Sequence, residues 1–141
     1  MVKRTITAAC AAAFLLVGLA GCPSVPPAPI PYTDPEALYQ LVSGQTAKYL
    51  LVDVRTNEEY VSGHIPTAVS FPYDAIGENP PTPNKAALII VYCQSGARAA
   101  RAKKTLDSLG YINVVDFGAI GRWTHALVEG ADPGTARTNT Q

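Results

Sequence analysis

Charge is scarce in this chain of 141 residues: only 16% of it is Asp, Glu, Lys or Arg, and 11 basic side chains are matched by 11 acidic ones. The balance excludes nucleic-acid binding as a default, because such domains carry a basic stripe and a pI above about 9. Histidine is limited to His64 and His125 and cysteine to three positions. Those few ligands have no recognisable spacing, so no metal site and no cofactor are expected. No apolar run reaches the roughly 20 residues of a membrane-spanning helix, and no internal repeat is visible. What the chain does have is apolar content, at 48%, enough for the core of one ordinary domain with appendages.

The first appendage is a targeting segment. Lys3 and Arg4 precede an apolar stretch from Ile6 to Ala20, interrupted only by Thr7 and Gly18, with no acidic residue before Gly21. That pattern reads as a secretion signal over residues 1–21. Leu19-Ala20-Gly21-Cys22 resembles the lipobox of bacterial lipoproteins, which implies cleavage before Cys22 and lipid attachment to its thiol. The implied product is extracytoplasmic and held at a membrane by lipid; with no Asp after Cys22, the outer membrane is favoured if the source is Gram-negative. Loss of Lys3 and Arg4 leaves nine basic and 11 acidic side chains, so membrane attachment does not rest on basic charge. Pro23 to Pro31 contains five prolines in nine residues and favours an extended spacer of about 3 Å per residue. Residues 22–31 are therefore expected to be a lipidated tether, 32–128 the folded domain, and 129–141 a polar, flexible tail.

Within the domain, Asp34-Pro35-Glu36 opens a helix whose Leu38, Leu41 and Val42 share a face and whose end is Gly44. Tyr49 to Val54 and Ala87 to Tyr92 are short continuous apolar runs, as expected of strands buried on both faces. Weaker strands are expected over Ala68 to Phe71 and Ile112 to Phe117, with a helix from Ala97 to Leu109 between the last two strands. Strands alternating with helices predict an α/β fold with a mainly parallel sheet. Thr56 and Glu59 stand at capping-box spacing, which makes the acids of that segment caps. Pro80, Pro81 and Pro83 confine residues 77–84 to a loop.

Cys10 leaves with the signal and Cys22 is acylated in this reading, so Cys93 is the one thiol left. An unpaired cysteine in an oxidising compartment is a liability, which makes Cys93 a candidate reactive residue beside the simpler reading of a buried small hydrophobe. It stands between a strand and a helix, at the carboxyl edge of a parallel sheet. There the helix N-terminus directs unpaired N–H groups at an anion, and Arg98 and Arg101 add positive charge. Both features favour the thiolate, and Gly96 permits the tight curl that turns successive amides inward.

At these residues the chain resembles the rhodanese family of single-domain sulfurtransferases. Cys93-Gln94-Ser95-Gly96-Ala97-Arg98-Ala99 matches its C-x-x-G-x-R-[AS] loop, Leu51-Val52-Asp53-Val54-Arg55 its "DVR" strand, and Glu59 to Ala68 its E-[FY]-x-x-G-H-I-x-G-A segment. Gly110 to Val114, Gly118 and Trp123 are similar to its closing strand, glycine turn and helix. The sequence departs from the pattern at Thr67 and Ala119, where glycine is usual. The resemblance implies a rhodanese-like sheet flanked by helices on both faces. It also implies sulfur transfer through a Cys93 persulfide, stabilised by backbone amides of residues 94–98, with Arg98 orienting a small anionic sulfur donor. Asp53 and Arg55 would brace the site wall, and His64 would pack and hydrogen-bond without a catalytic role. Trp123 and Leu127 would fill the core from a last helix. Acceptors in this reading are thiols, cyanide or a thioredoxin-like reductant. The rivals are a rhodanese-like binding or sulfur-carrier module serving one partner, and a phosphatase or arsenate reductase. The last is disfavoured because Cys93 to Arg98 spans six residues, where the related phosphatases use seven and cradle a larger anion.

Overall fold

The structure is a computed structural model that describes residues 32–44 and 47–135. The expected signal, Cys10, the Cys22 lipidation site and the proline-rich tether all lie outside these residues. Among the described residues, no helix is long and apolar enough to cross a membrane.

Helix α1 covers Pro35–Gly44. The Asp34 carboxylate caps it by accepting from the backbone N–H of Glu36 and Ala37, each at 3.0 Å, and its buried face is Leu38, Leu41 and Val42. Then follow β1 (Leu50–Asp53), α2 (Asn57–Ser62), β2 (Val69–Ser70), β3 (Ile89–Cys93), α3 (Ala97–Ser108) and β4 (Val114–Ala119). The four strands form one parallel sheet in the order β2-β1-β3-β4. Both expected continuous runs are strands, and all five residues of β3 are buried. Side chains alternate between the two faces. Leu51, Ile90 and Tyr92 meet α1 residues together with Tyr60, Phe117 and Trp123. Val52, Ile89, Val91 and Cys93 meet Ala99, Ala102 and Leu106 of α3. Helices thus cover both faces, and the parallel strands deliver their carboxyl ends to one edge.

The pairing of β3 with β4 slips between Val91 and Tyr92: Val91 stands opposite Asp116, and Tyr92 opposite Gly118. Phe117 is the extra residue of a β-bulge and is fully buried. The bend brings Gly118, at φ +91°, under the loop after β3. Arg122 fixes it there, donating to the Phe117 carbonyl at 2.7 Å and to the Thr33 carbonyl at 2.7 Å.

One expectation at the carboxyl end is corrected. Among the described residues no last helix forms: a single 3-10 turn, Ile120–Arg122, precedes Trp123, and Leu127 is 46% exposed, not in the core. The reason is a competing pairing, since the backbones of His64 and Val128 exchange two hydrogen bonds of 2.9 Å, which holds this segment extended. Beyond residue 128 the chain stays hydrogen-bonded to the residues around His64. Gly130 N–H donates to the Val61 carbonyl at 2.8 Å, Thr67 N–H to the Pro133 carbonyl at 2.7 Å, and the His64 ring meets the Asp132 carbonyl at 3.1 Å. The expected tail beyond residue 135 lies outside the described residues.

Candidate active site

Cys93 ends β3 with its side chain buried. The Gly96 N–H points back at its Sγ, 3.0 Å away. This curl requires Gly96 at φ +97°, in the left-handed region, where it packs against the backbone of Gly118. Helix α3 starts at Ala97 with no side-chain cap on its N-terminus. The first-turn N–H groups therefore lack intrahelical partners and face the same edge as the thiol. Gln94, Ser95 and Ala97 form the exposed rim. The loop that sequence spacing singles out thus directs one backbone amide, that of Gly96, at the sulfur atom.

Asp53 and Arg55 form a buried wall beside the loop. Asp53 Oδ1 accepts from the Arg55 N–H at 3.0 Å and from its Nε at 2.9 Å, and Oδ2 accepts from Nη2 at 2.6 Å. Arg55 also donates to the Gly63 carbonyl at 2.6 Å and to Gln94 Oε1 at 3.4 Å, so the wall reaches the loop. Burial works against the charge of Arg55, but the hydrogen bonds and charge of Asp53 outweigh it and raise the guanidinium pKa.

Arg98, expected to orient a donor, is paired within the domain. Both its terminal nitrogens donate to Glu59, Nη1 to Oε2 at 2.6 Å and Nη2 to Oε1 at 2.8 Å. Glu59 also accepts from the Thr56 N–H at 2.9 Å, completing the capping box of α2. The acid read as a cap is therefore a cap and a bridge to the cysteine loop. Hydrogen bonding from Arg98, partly opposed by burial, holds the Glu59 carboxyl at about 2. The Arg98 pKa rises, first through Glu59 and to a smaller extent through the charge of Cys93. Sequence reasoning missed this pair. The one local signal, the capping box, explained Glu59 completely.

Thr67 keeps the left-handed turn usual for glycine, at φ +70°. Its N–H donates to Pro133, and its hydroxyl lies 2.8 Å from that of Tyr49. His64 is fully buried, stacked on Tyr60 at 3.8 Å with Nδ1 2.9 Å from the Tyr60 carbonyl. It packs and hydrogen-bonds away from the thiol. His125 stacks on Tyr39 at 3.6 Å. Among the described residues, no three His, Cys, Asp or Glu side chains converge as metal ligands.

The family profile of the rhodanese-like domain matches residues 34–125. A thiosulfate:glutathione sulfurtransferase of Saccharomyces cerevisiae is 33% identical over 102 residues, covering 62% of this chain and 73% of its own. A sulfurtransferase of Allochromatium vinosum is 36% identical over 96 residues, covering 67% of this chain and 89% of its own. Among solved structures, an Escherichia coli rhodanese with anions superposes with a TM-score of 0.55 at 28% identity, covering 58% of this chain and 99% of that one.

Proposed function

Starting from the fact that the chain belongs to the rhodanese-like domain family, we propose that it is a sulfurtransferase carrying sulfur as a Cys93 persulfide. The single observation that carries the reading is the Gly96 N–H held 3.0 Å from Cys93 Sγ at an uncapped helix N-terminus. That arrangement can donate a hydrogen bond to the anionic sulfur of a persulfide on Cys93. In the first half-reaction the Cys93 thiolate attacks the outer sulfur of thiosulfate. A sulfur–sulfur bond forms to Cys93, the one inside thiosulfate breaks, and its electron pair leaves with sulfite. In the second, a thiolate or cyanide attacks the terminal sulfur and the Cys93 thiolate returns. No general base is required, because neither step moves a proton onto the protein.

Sulfurtransferase names among the relatives support the reaction class and leave donor and acceptor to this proposal. We assign the donor to small sulfane anions and the acceptor to a low-molecular thiol or a thioredoxin-like protein. The motif around Cys22 supports a lipid-anchored, extracytoplasmic location with the domain spaced from the membrane by residues 22–31.

Intact mass tests the reading. Thiosulfate should add one sulfur to the wild-type protein and none to Cys93→Ser, and cyanide should remove it. No added sulfur from thiosulfate or polysulfide would replace the enzyme with a partner-binding module.

A further inference from the structure

Two guanidinium groups stand at the cysteine loop, Arg98 within it and Arg55 against Gln94, and a carboxylate already holds each of them. Arg55 is bound to Asp53 inside the domain, at 4% and 0% exposure. Arg98 gives both terminal nitrogens to Glu59. The four formal charges cancel. What remains for an anion is the backbone cradle and the outer face of α3, where Lys103 is itself paired with Asp107 at 2.8 Å.

The two pairs are not equivalent. Asp53 cannot be neutralised without leaving a buried cation unpaired. The Arg98–Glu59 pair is partly exposed, at 26% and 32%, and Glu59 belongs to a different element, α2, and meets the cysteine loop through Arg98. Its carboxylate therefore sets how much of the Arg98 charge an anion in the cradle can use. A dianion has to compete with Glu59 for Arg98, whereas a monoanion can be held by amides alone.

Resting on the sulfurtransferase reading, we infer that Glu59 is a positioning residue that sets the charge class of the donor. By holding Arg98 it withholds one positive charge from the cradle and weakens selection for a doubly charged donor over a singly charged one. The site is thereby open to monoanionic sulfur donors, such as thiosulfonates and organic persulfides, and is not dedicated to thiosulfate.

The test uses the full chain, cyanide as acceptor, and two donors with the same sulfane chemistry: thiosulfate, a dianion, and methanethiosulfonate, a monoanion. The readout is the ratio of their kcat/KM values, which a merely structural role of Glu59 would not move. Glu59→Gln should raise the thiosulfate-to-thiosulfonate ratio about five- to tenfold, as one added unit charge in partly exposed surroundings would, and the rise should shrink with added salt. Both donors changing in parallel, with the ratio within about twofold of wild type, overturns the inference. A second measurement needs no variant: sulfate and methanesulfonate should inhibit wild-type loading with constants within about threefold of each other, and a sulfate preference beyond tenfold overturns it. If neither donor adds sulfur to wild-type Cys93, the sulfurtransferase reading itself falls and takes this inference with it; loading with an unchanged ratio removes the role of Glu59 alone.

Discussion

Replacing Asp53 with Asn changes one atom and removes one charge at a site closed to bulk solvent. Asp53 is fully buried and Arg55 is 4% exposed. Oδ1 accepts from the Arg55 backbone N–H and Nε, and Oδ2 accepts from Nε and from Nη2 at 2.6 Å. An asparagine has one acceptor to offer. If its oxygen takes the Oδ1 position, its NH2 faces Nη2, donor against donor; if it flips, the NH2 faces the Arg55 N–H and Nε. Either way at least one strong bond is lost and a buried guanidinium keeps its charge unpaired. Breaking such a pair from one side costs about 3–5 kcal/mol, a large part of the roughly 5–15 kcal/mol that holds a domain folded. At roughly 4–8 °C per kcal/mol for a domain of this size, Tm should fall by more than about 12 °C. Asp53→Asn combined with Arg55→Met removes the orphaned charge and should recover about 2 kcal/mol of the loss. The recovery stays incomplete because the Gly63 carbonyl loses its 2.6 Å donor. Urea denaturation at pH 7 measures all three proteins. Asp53→Asn within about 1 kcal/mol of wild type, or a double variant no more stable than the single, would refute the reasoning.

Three other perturbations test other parts of the structure. In Gly96→Ala the added Cβ meets Gly118 no closer than 3.7 Å, so the penalty is the left-handed backbone, about 1–2 kcal/mol; sulfur loading of Cys93, followed by mass, should slow at least about tenfold as the amide turns from the thiol, and an unimpaired rate would contradict the cradle. The Glu59 carboxyl lies near 2 in the folded protein against an ordinary value of 4.5, so its bridge contributes fully above about pH 4.5 and is lost as pH falls through about 2. Because the pair is about a third exposed, that contribution is about 0.5–1 kcal/mol: Glu59→Gln should be less stable than wild type by this amount at pH 6 and equal to it at pH 2, and a gap that survives at pH 2 would contradict the assignment. Ending the chain after Glu129 removes the carbonyls of Asp132 and Pro133 from His64 and Thr67 and should cost about 2–4 kcal/mol; an unchanged urea midpoint would show that this segment only rests on the domain.

The layers of the fold were legible because burial on both faces leaves a mark in sequence. Leu50 to Val52 and Ile89 to Cys93 can be continuously apolar only where helices cover both sides of a sheet, and that alternation of strands and helices dictated parallel pairing. Cys93 and its loop were legible for a related reason: a strand end, a glycine and a helix start occupy adjacent positions. The carboxyl-terminal segment was not. Trp123 and Leu127 stand at helical spacing, but His64, more than sixty positions earlier, takes the backbone of Val128 into a bridge, and no window around Leu127 contains that competitor. The turn at Thr67 was visible as a departure from glycine, whereas the contacts that hold it, from Tyr49 and Pro133, come from opposite ends of the domain.

The pairing of Glu59 with Arg98 belongs to the same class of hidden fact, and it bears on chemistry as well as on fold. Local sequence assigns each residue a sufficient role, a cap for one and an anion ligand for the other, and neither role needs the other residue. Only the sheet order β2-β1-β3-β4 brings α2, which follows β1, beside the loop that follows β3, across 39 positions of chain. Once they meet, the cation that motif reading gives to the substrate is already bound at 2.6 Å. In the proposed sulfur transfer, recognition of the donor then falls first to the amides of Gly96 and the opening turn of α3. Amide dipoles respond less steeply to the charge of an anion than a full cation does, so in the proposed reaction the loop geometry fixes the size of what is held, and Glu59 governs how strongly the charge of its carrier is felt.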